Sequence, residues 1–155
     1  MTKTILITGA SSGIGANVAN LFLDRDWNVG LIARREHKLA IIANNHKNAL
    51  CIKCDVAQEK QIKDAFQLTA DHFGKIDVLF NNAGIFTPQA RIDQIDIKDW
   101  QKSLDVNLTG MFLSAREAFK HMREKGGRII NNGSISAHTP REGSVPYTTT
   151  KHAIT

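Results

Sequence analysis

The start of the chain constrains the fold more than any other stretch. Thr4-Ile5-Leu6-Ile7-Thr8 is a β-rich apolar run, and Gly9-Ala10-Ser11-Ser12-Gly13-Ile14-Gly15 follows it directly. From Gly13 the apolar spacing becomes helical, with Ile14, Val18 and Leu21 on one face as far as about Arg25. A strand must therefore turn sharply into a helix, with glycine at the positions where side chains would be most costly. Gly9 suits the tight turn, Gly13 leaves room for a ligand to approach the backbone, and Gly15 lets the helix pack close to the strand. The unpaired N–H groups and positive dipole end of such a helix suit a pyrophosphate, with Ser11, Ser12 and Ile14 in the same loop. A plain glycine turn would read the same locally. The strand before and the helix after favour the phosphate-binding reading.

The rest of the chain repeats the alternation. Asn28 to Ala33, Leu50 to Cys54, Ile76 to Phe80 and Arg128 to Asn132 read as strands. Helical patterns run from Arg35 to about Asn45 and from Gln58 to Phe73, the latter with Ile62, Ala65, Phe66, Thr69 and Phe73 on one face. A loop from Gly84 to about Ile97 precedes a predicted helix from Asp99 to about Glu124, stopped by Gly126-Gly127. After the fifth strand a loop runs to about Pro146, and a helix starts at Tyr147. Near-continuously apolar strands alternating with amphipathic helices predict an α/β fold: a doubly wound parallel sheet covered on both faces. Residues 1–155 read as one domain, with 42% hydrophobic residues to build its core.

Several function classes are disfavoured. No apolar run is long enough to span a bilayer and no signal-peptide pattern opens the chain, so no membrane association and a cytoplasmic location are expected. The net charge of +5 is spread among few aromatics, so no nucleic-acid partner is expected; a bound anion or a solvated surface explains it more simply. Cys51 and Cys54 form a lone C-x-x-C within a predicted strand. Residues three apart on a strand face opposite ways, so the pair reads as structural and no metal site is expected.

The strand ends carry the chemistry. Leu31-Ile32-Ala33-Arg34-Arg35 closes the second strand, where a doubly wound nucleotide fold meets the adenosine ribose. An acid there would hold a free 2′-hydroxyl; two guanidinium groups suit a 2′-phosphate. NADP(H) is therefore favoured over NAD(H), with an exposed basic turn as the alternative. Asp55-Val56 closes the third strand, where the carboxylate could accept from an adenine amino group or cap a turn. Asn81-Asn82-Ala83-Gly84 closes the fourth, and reads either as backbone pinned near a ligand or as an Asn-rich turn.

Tyr147 and Lys151 share a helix face at a spacing of four, just after the fifth strand, and Tyr147 is the only tyrosine. A free phenol has a pKa near 10, and a neighbouring ammonium favours its phenolate, giving a group able to exchange a proton with a carbonyl or hydroxyl. A surface helix pair would look the same in isolation. Ser134 ends the fifth strand and could donate to a substrate oxygen, with Ser136 as competitor. Asn107 sits among Leu104, Leu108 and Met111, where its amide must find a partner: water near Lys151, or a local carbonyl.

In this order, Thr8-Gly9-x-x-x-Gly13-x-Gly15, Asp55, Asn81-Asn82-Ala83-Gly84, Asn107, Ser134 and Tyr147-x-x-x-Lys151 resemble the short-chain dehydrogenase/reductase family over the whole chain. The resemblance implies a Rossmann-type fold, and hydride transfer between nicotinamide and a carbonyl or alcohol substrate. It implies Tyr147 as general acid/base, with Lys151 tuning it and binding the nicotinamide ribose. It implies Ser134 orienting the substrate oxygen and Asn107 in a water relay. Cofactor contacts would come from Gly9, Ser11, Ser12, Gly13, Ile14, Gly15, Arg34, Arg35, Asp55, Val56, Asn82, Ala83, Gly84, Tyr147 and Lys151. Ala33-Arg34-Arg35 looks like the NADP-using branch. Compact members of the family have about seven strands and assemble as homo-oligomers, so five strands imply a C-terminally truncated chain. The alternative to a working oxidoreductase is then a nucleotide-binding remnant that holds NADP(H) weakly without turnover. The fifth strand should be a sheet edge, and the outer face of the Asp99–Glu124 helix should be bare. Phe86, His138 and Arg141 are candidates for the substrate pocket wall.

Overall fold

The computed structural model describes residues 2–155. β1 (Thr4–Thr8), α1 (Gly13–Leu23), β2 (Asn28–Ala33), α2 (Glu36–Ala43), β3 (Ala49–Lys53), α3 (Glu59–Phe73) and β4 (Val78–Asn81) follow one another in strict alternation. They are followed by α4 (Ile97–Ser103), α5 (Gly110–Met122), β5 (Arg128–Asn131) and α6 (Val145–Ile154). The five strands form one parallel sheet in the order β3-β2-β1-β4-β5.

Alternation along β1 builds two cores. Ile5 and Ile7 face one side with Val29, Leu31, Ala19, Leu23 and Leu39, under α1 and α2. Leu6 faces the other with Ile52, Phe66, Leu79, Leu113 and Met122, under α3 and α5. Cys51 packs against the first core and Cys54 belongs to the second, so the sheet separates the two thiols. Burial, then the charges of Asp55 and Asp64, push the Cys54 thiol up to about 12. Such a group is a small apolar filler.

Several boundaries differ from the sequence expectation: β4 runs from Val78 to Asn81 rather than from Ile76 to Phe80, and three differences in the helices have visible causes. The predicted helix at Asp99 starts at Ile97, because Asp96 accepts a hydrogen bond from the Lys98 N–H (2.8 Å) and caps it. That helix is also not continuous: Leu104–Thr109 forms a π turn between α4 and α5. An apolar periodicity does not reveal one widened turn. The last helix starts at Val145 rather than Tyr147, since Pro146 lies in its first turn, where a missing N–H costs nothing. β5 is the outer strand and is exposed along its length, and Phe112 and Phe119 of α5 are more than half exposed. Both agree with the sequence expectation. No helix of the described residues is long and apolar enough to cross a membrane.

Gly110 opens α5 where the helix meets the loop after β3. A Cβ there would lie 2.7 Å from the Val56 carbonyl oxygen, a backbone atom that cannot rotate away. Gly110→Ala should cost about 1–3 kcal/mol through overpacking. Urea denaturation checks this; an unchanged midpoint would mean that α5 has room to move.

Candidate active site

The strand order reverses between β1 and β4, and the loops leaving those strands splay apart there. The resulting cleft, of about 440 Å³, is lined by Gly9, Ser11, Ser12, Gly13 and Ile14 after β1. Ala33, Arg34 and Arg35 after β2, and Cys54, Asp55 and Val56 after β3, form further parts of its wall. Asn82 to Phe86 after β4, together with Val106, complete it.

The three glycines do different work. Gly9 has φ +69°, the left-handed turn that takes the chain off β1. Gly13 has φ +57°, and an added Cβ would meet nothing within 4 Å, so its backbone stands open to the cleft. Gly15 is not part of the lining; a Cβ there would lie 2.4 Å from the Gly9 oxygen and 2.7 Å from Asn82 Nδ2. No side chain caps α1, so the N–H groups of its first turn are left for a ligand.

Arg35 bridges two of the loops. Its Nη2 donates to both Ser11 Oγ and Ser12 Oγ, each at 3.1 Å. These hydroxyls answer a cation that the adjacent α2 N-terminus would disfavour. Asp55 both faces the cleft and organises its own loop, since Oδ1 accepts from the Ala57 N–H (3.0 Å).

Thr8 and Asn82 lock the end of β4 to the end of β1. Thr8 Oγ1 accepts from the N–H groups of Asn82 (2.9 Å) and Ala83 (3.0 Å), while Asn82 Nδ2 donates to the Thr8 carbonyl (3.1 Å). Asn107 extends this frame from the π turn. It is fully buried; Oδ1 accepts from the Ile85 N–H (2.7 Å), and Nδ2 is shared among the Ile85 carbonyl, Ser103 Oγ and Thr150 Oγ1. The side chain thus clamps the strand that carries Asn82–Phe86 to α6.

Tyr147 and Lys151 lie on α6 beside the cleft rather than in its lining. Lys151 is 3% exposed, and its Nζ donates to the Asn132 carbonyl (2.8 Å). Nζ stands 5.6 Å from the centre of the Tyr147 ring. Burial pulls the amine below the usual lysine range. Phe86 joins this pair to the cleft: its ring stacks on Tyr147 at 3.9 Å and 22°. Ser134 is half-buried, and its Oγ accepts from the Ser136 N–H (3.1 Å), which leaves its proton to donate. Ser136 is sealed in the interior with its hydroxyl unpartnered. His138 and Arg141 are exposed and outside the cleft lining, unlike Phe86. Ile85, Val106, Asn132 and Thr150 were not singled out from the sequence; only their bonds and positions reveal them.

Residues 3–155 match the family described as short chain dehydrogenase. The chain belongs to that family. As a short-chain dehydrogenase family member it is similar to a glucose 1-dehydrogenase 2 of Bacillus subtilis, 34% identical over 98% of this chain and 62% of that protein. It is similar to a serine 3-dehydrogenase of Rhizobium radiobacter, 36% identical over 97% of this chain and 61% of the relative. Among solved structures it matches a 3-ketoacyl-(acyl-carrier-protein) reductase from Brucella melitensis complexed with NADH. That match has a TM-score of 0.94 and 28% identity, covering 98% of this chain and 65% of the other. This short-chain dehydrogenase chain thus spans less than two thirds of the length of these relatives.

The buried Lys151 gives a stability signature with a defined sign. Its folded value lies below the unfolded one, so the unfolded chain binds the proton more readily. The stability it contributes is fully present above the ordinary lysine range and is lost as pH falls through the lowered folded value. Lys151→Met removes this dependence. Urea melts from neutral to alkaline pH should show the parent gaining on the variant as pH rises; parallel curves would refute the burial of a titrating amine.

Proposed function

We propose that the chain carries the nucleotide-binding and acid–base half of an NADP(H)-dependent oxidoreductase acting on a carbonyl or alcohol. Residues 1–155 form its single dinucleotide-binding domain. The observation that carries this reading is the Phe86–Tyr147 stack, since one ring belongs to the dinucleotide cleft and the other is the chain's only tyrosine. Bound nicotinamide would supply the hydride or accept it.

The residues fit such a ligand. The open backbone at Gly13 and the uncapped start of α1 suit a pyrophosphate, with Ser11, Ser12 and Ile14 around it. Arg34 and Arg35 would bind a 2′-phosphate, and Arg35 already rests on two serine hydroxyls at the cleft wall. Asp55 keeps one carboxylate oxygen outside its turn, free to take an adenine amino group beside Val56. Asn82, Ala83 and Gly84 would lie along the ribose, with Lys151 reaching its hydroxyls. Ser134 would hold the substrate oxygen while Tyr147 gives or takes the proton, with Lys151 Nζ 5.6 Å from its ring centre. A part for Asn107 in a water relay falls to its main-chain atoms, because its side chain is committed to Ile85, Ser103 and Thr150.

Fluorescence titration with NADPH and NADH, followed by a panel of aldehydes and ketones, tests this. Tighter binding of NADPH with carbonyl-dependent oxidation is the expected result. Arg35→Ala should weaken NADPH about ten-fold, the worth of one charge-assisted hydrogen bond, and leave NADH nearly unchanged. Tyr147→Phe should lower turnover by about 100-fold or more without loss of nucleotide affinity. Binding without any oxidation would favour the remnant reading, and no binding would remove both.

A further inference from the structure

Four asparagines face one another where β4 and β5 end. Asn81 pairs with Asn131 in the sheet register, and Asn81 Nδ2 donates to Asn131 Oδ1 (3.2 Å) as well as to the Met111 carbonyl (2.7 Å). One residue on, Asn132 Nδ2 donates to Asn82 Oδ1 (2.9 Å). The orientation of Asn82 is imposed: its Nδ2 serves the Thr8 carbonyl, so its Oδ1 faces away and needs a donor. Asn132 supplies that donor. The same residue is held by its own N–H, which donates to the Asn81 carbonyl (3.0 Å), and its carbonyl accepts from Lys151 Nζ (2.8 Å). One residue therefore touches the amide that anchors the glycine loop and the buried amine of α6.

We propose that Asn132 is a positioning residue that fixes the Lys151 ammonium and the Asn82 carboxamide in a common frame, so that the two ends of a dinucleotide are gripped in register. The inference rests on the function proposed above. Among the described residues no other bonds to both Asn82 and the Lys151 amine. Asn131 Oδ1 accepts from Asn81 rather than meeting Asn82, and Thr150 reaches Asn107 but not Asn82. An apolar residue at position 132 would fill the same space but leave Asn82 Oδ1 without its donor. It would also leave the carbonyl that holds Lys151 anchored only through the main-chain bond of Asn132 to Asn81.

The test uses this chain with Asn132→Leu, Asn82→Ala and the double variant. Carbon-13 labelled lysine gives an ε-carbon signal for residue 151, assigned by its absence in Lys151→Met. Asn132→Leu should move that signal toward the position of the exposed lysines and weaken NADPH about ten-fold. The double variant should bind NADPH no more weakly than Asn82→Ala alone, because the two amides act as one unit. A Lys151 signal that stays in place, or losses that multiply in the double variant, would overturn the proposal. A general loss of stability lowers the melting temperature but moves neither the folded-state signal nor the non-additivity. If Asn132→Leu does not fold, Asn132→Ala removes the same donor with less crowding and is read identically. If the parent chain binds neither nucleotide, the proposed function falls, and the Lys151 signal still decides whether Asn132 holds the amine.

Discussion

Everything at the carboxyl edge of the sheet depends on the absence of a side chain at residue 15. The backbone of α1 passes so close to Gly9 that a Cβ would lie 2.4 Å from its carbonyl oxygen. The same point is 2.7 Å from Asn82 Nδ2, so the glycine loop and the distant end of β4 meet within one van der Waals shell. This contact sets how far α1 stands from β1, and with it where the first-turn N–H groups are aimed. It also sets the width of the crevice at the point of strand reversal. Thr8 and Asn82 then stitch the neighbouring strand ends together with backbone and side-chain bonds. A larger residue would push α1 outward or drive the Asn82 carboxamide off the Thr8 carbonyl.

The two ends of the site are electrostatically unlike. At one end Arg34 and Arg35 are exposed cations on a helix start, and Arg35 is steadied by two serine hydroxyls. They cost little to keep in water and are free to answer an anion. At the other end Lys151 has been taken out of water with a backbone carbonyl as its partner. A dipole offsets only part of the lost hydration of an ammonium. Among the described groups that accept from Lys151 Nζ there is no carboxylate, so its charge is not neutralised locally and its field is available to the phenol it faces.

Much of this was legible from residue order, because period and punctuation have direct physical causes. The apolar centre of β1, Ile5-Leu6-Ile7, calls for cover on both faces, and the one-sided pattern of Ile62, Ala65 and Phe66 supplies it on one of them. The glycine spacing stated in advance which backbone would turn, which would be open and which would be crowded. The π turn was not legible: one extra residue in a helical turn leaves the apolar spacing nearly unchanged, yet it is what aims Asn107 at Ile85. Asn107 itself was recognised as an amide in need of a partner, but which partner depended on a loop over twenty positions away in sequence. Asn132 was invisible for a different reason. Its importance lies in joining Asn82 to Lys151, and neither bond has a local sequence signature.

The stacking of Phe86 on Tyr147 has a consequence for observation as much as for chemistry. Stacked rings 3.9 Å apart shield one another's protons through their induced currents, and this chain has a single phenol to be shielded. The aromatic resonances of that one residue thus form a built-in gauge of the crevice. Anything flat that slips between the rings, or draws Phe86 aside, changes the magnetic environment of the hydroxyl-bearing ring before any reaction occurs.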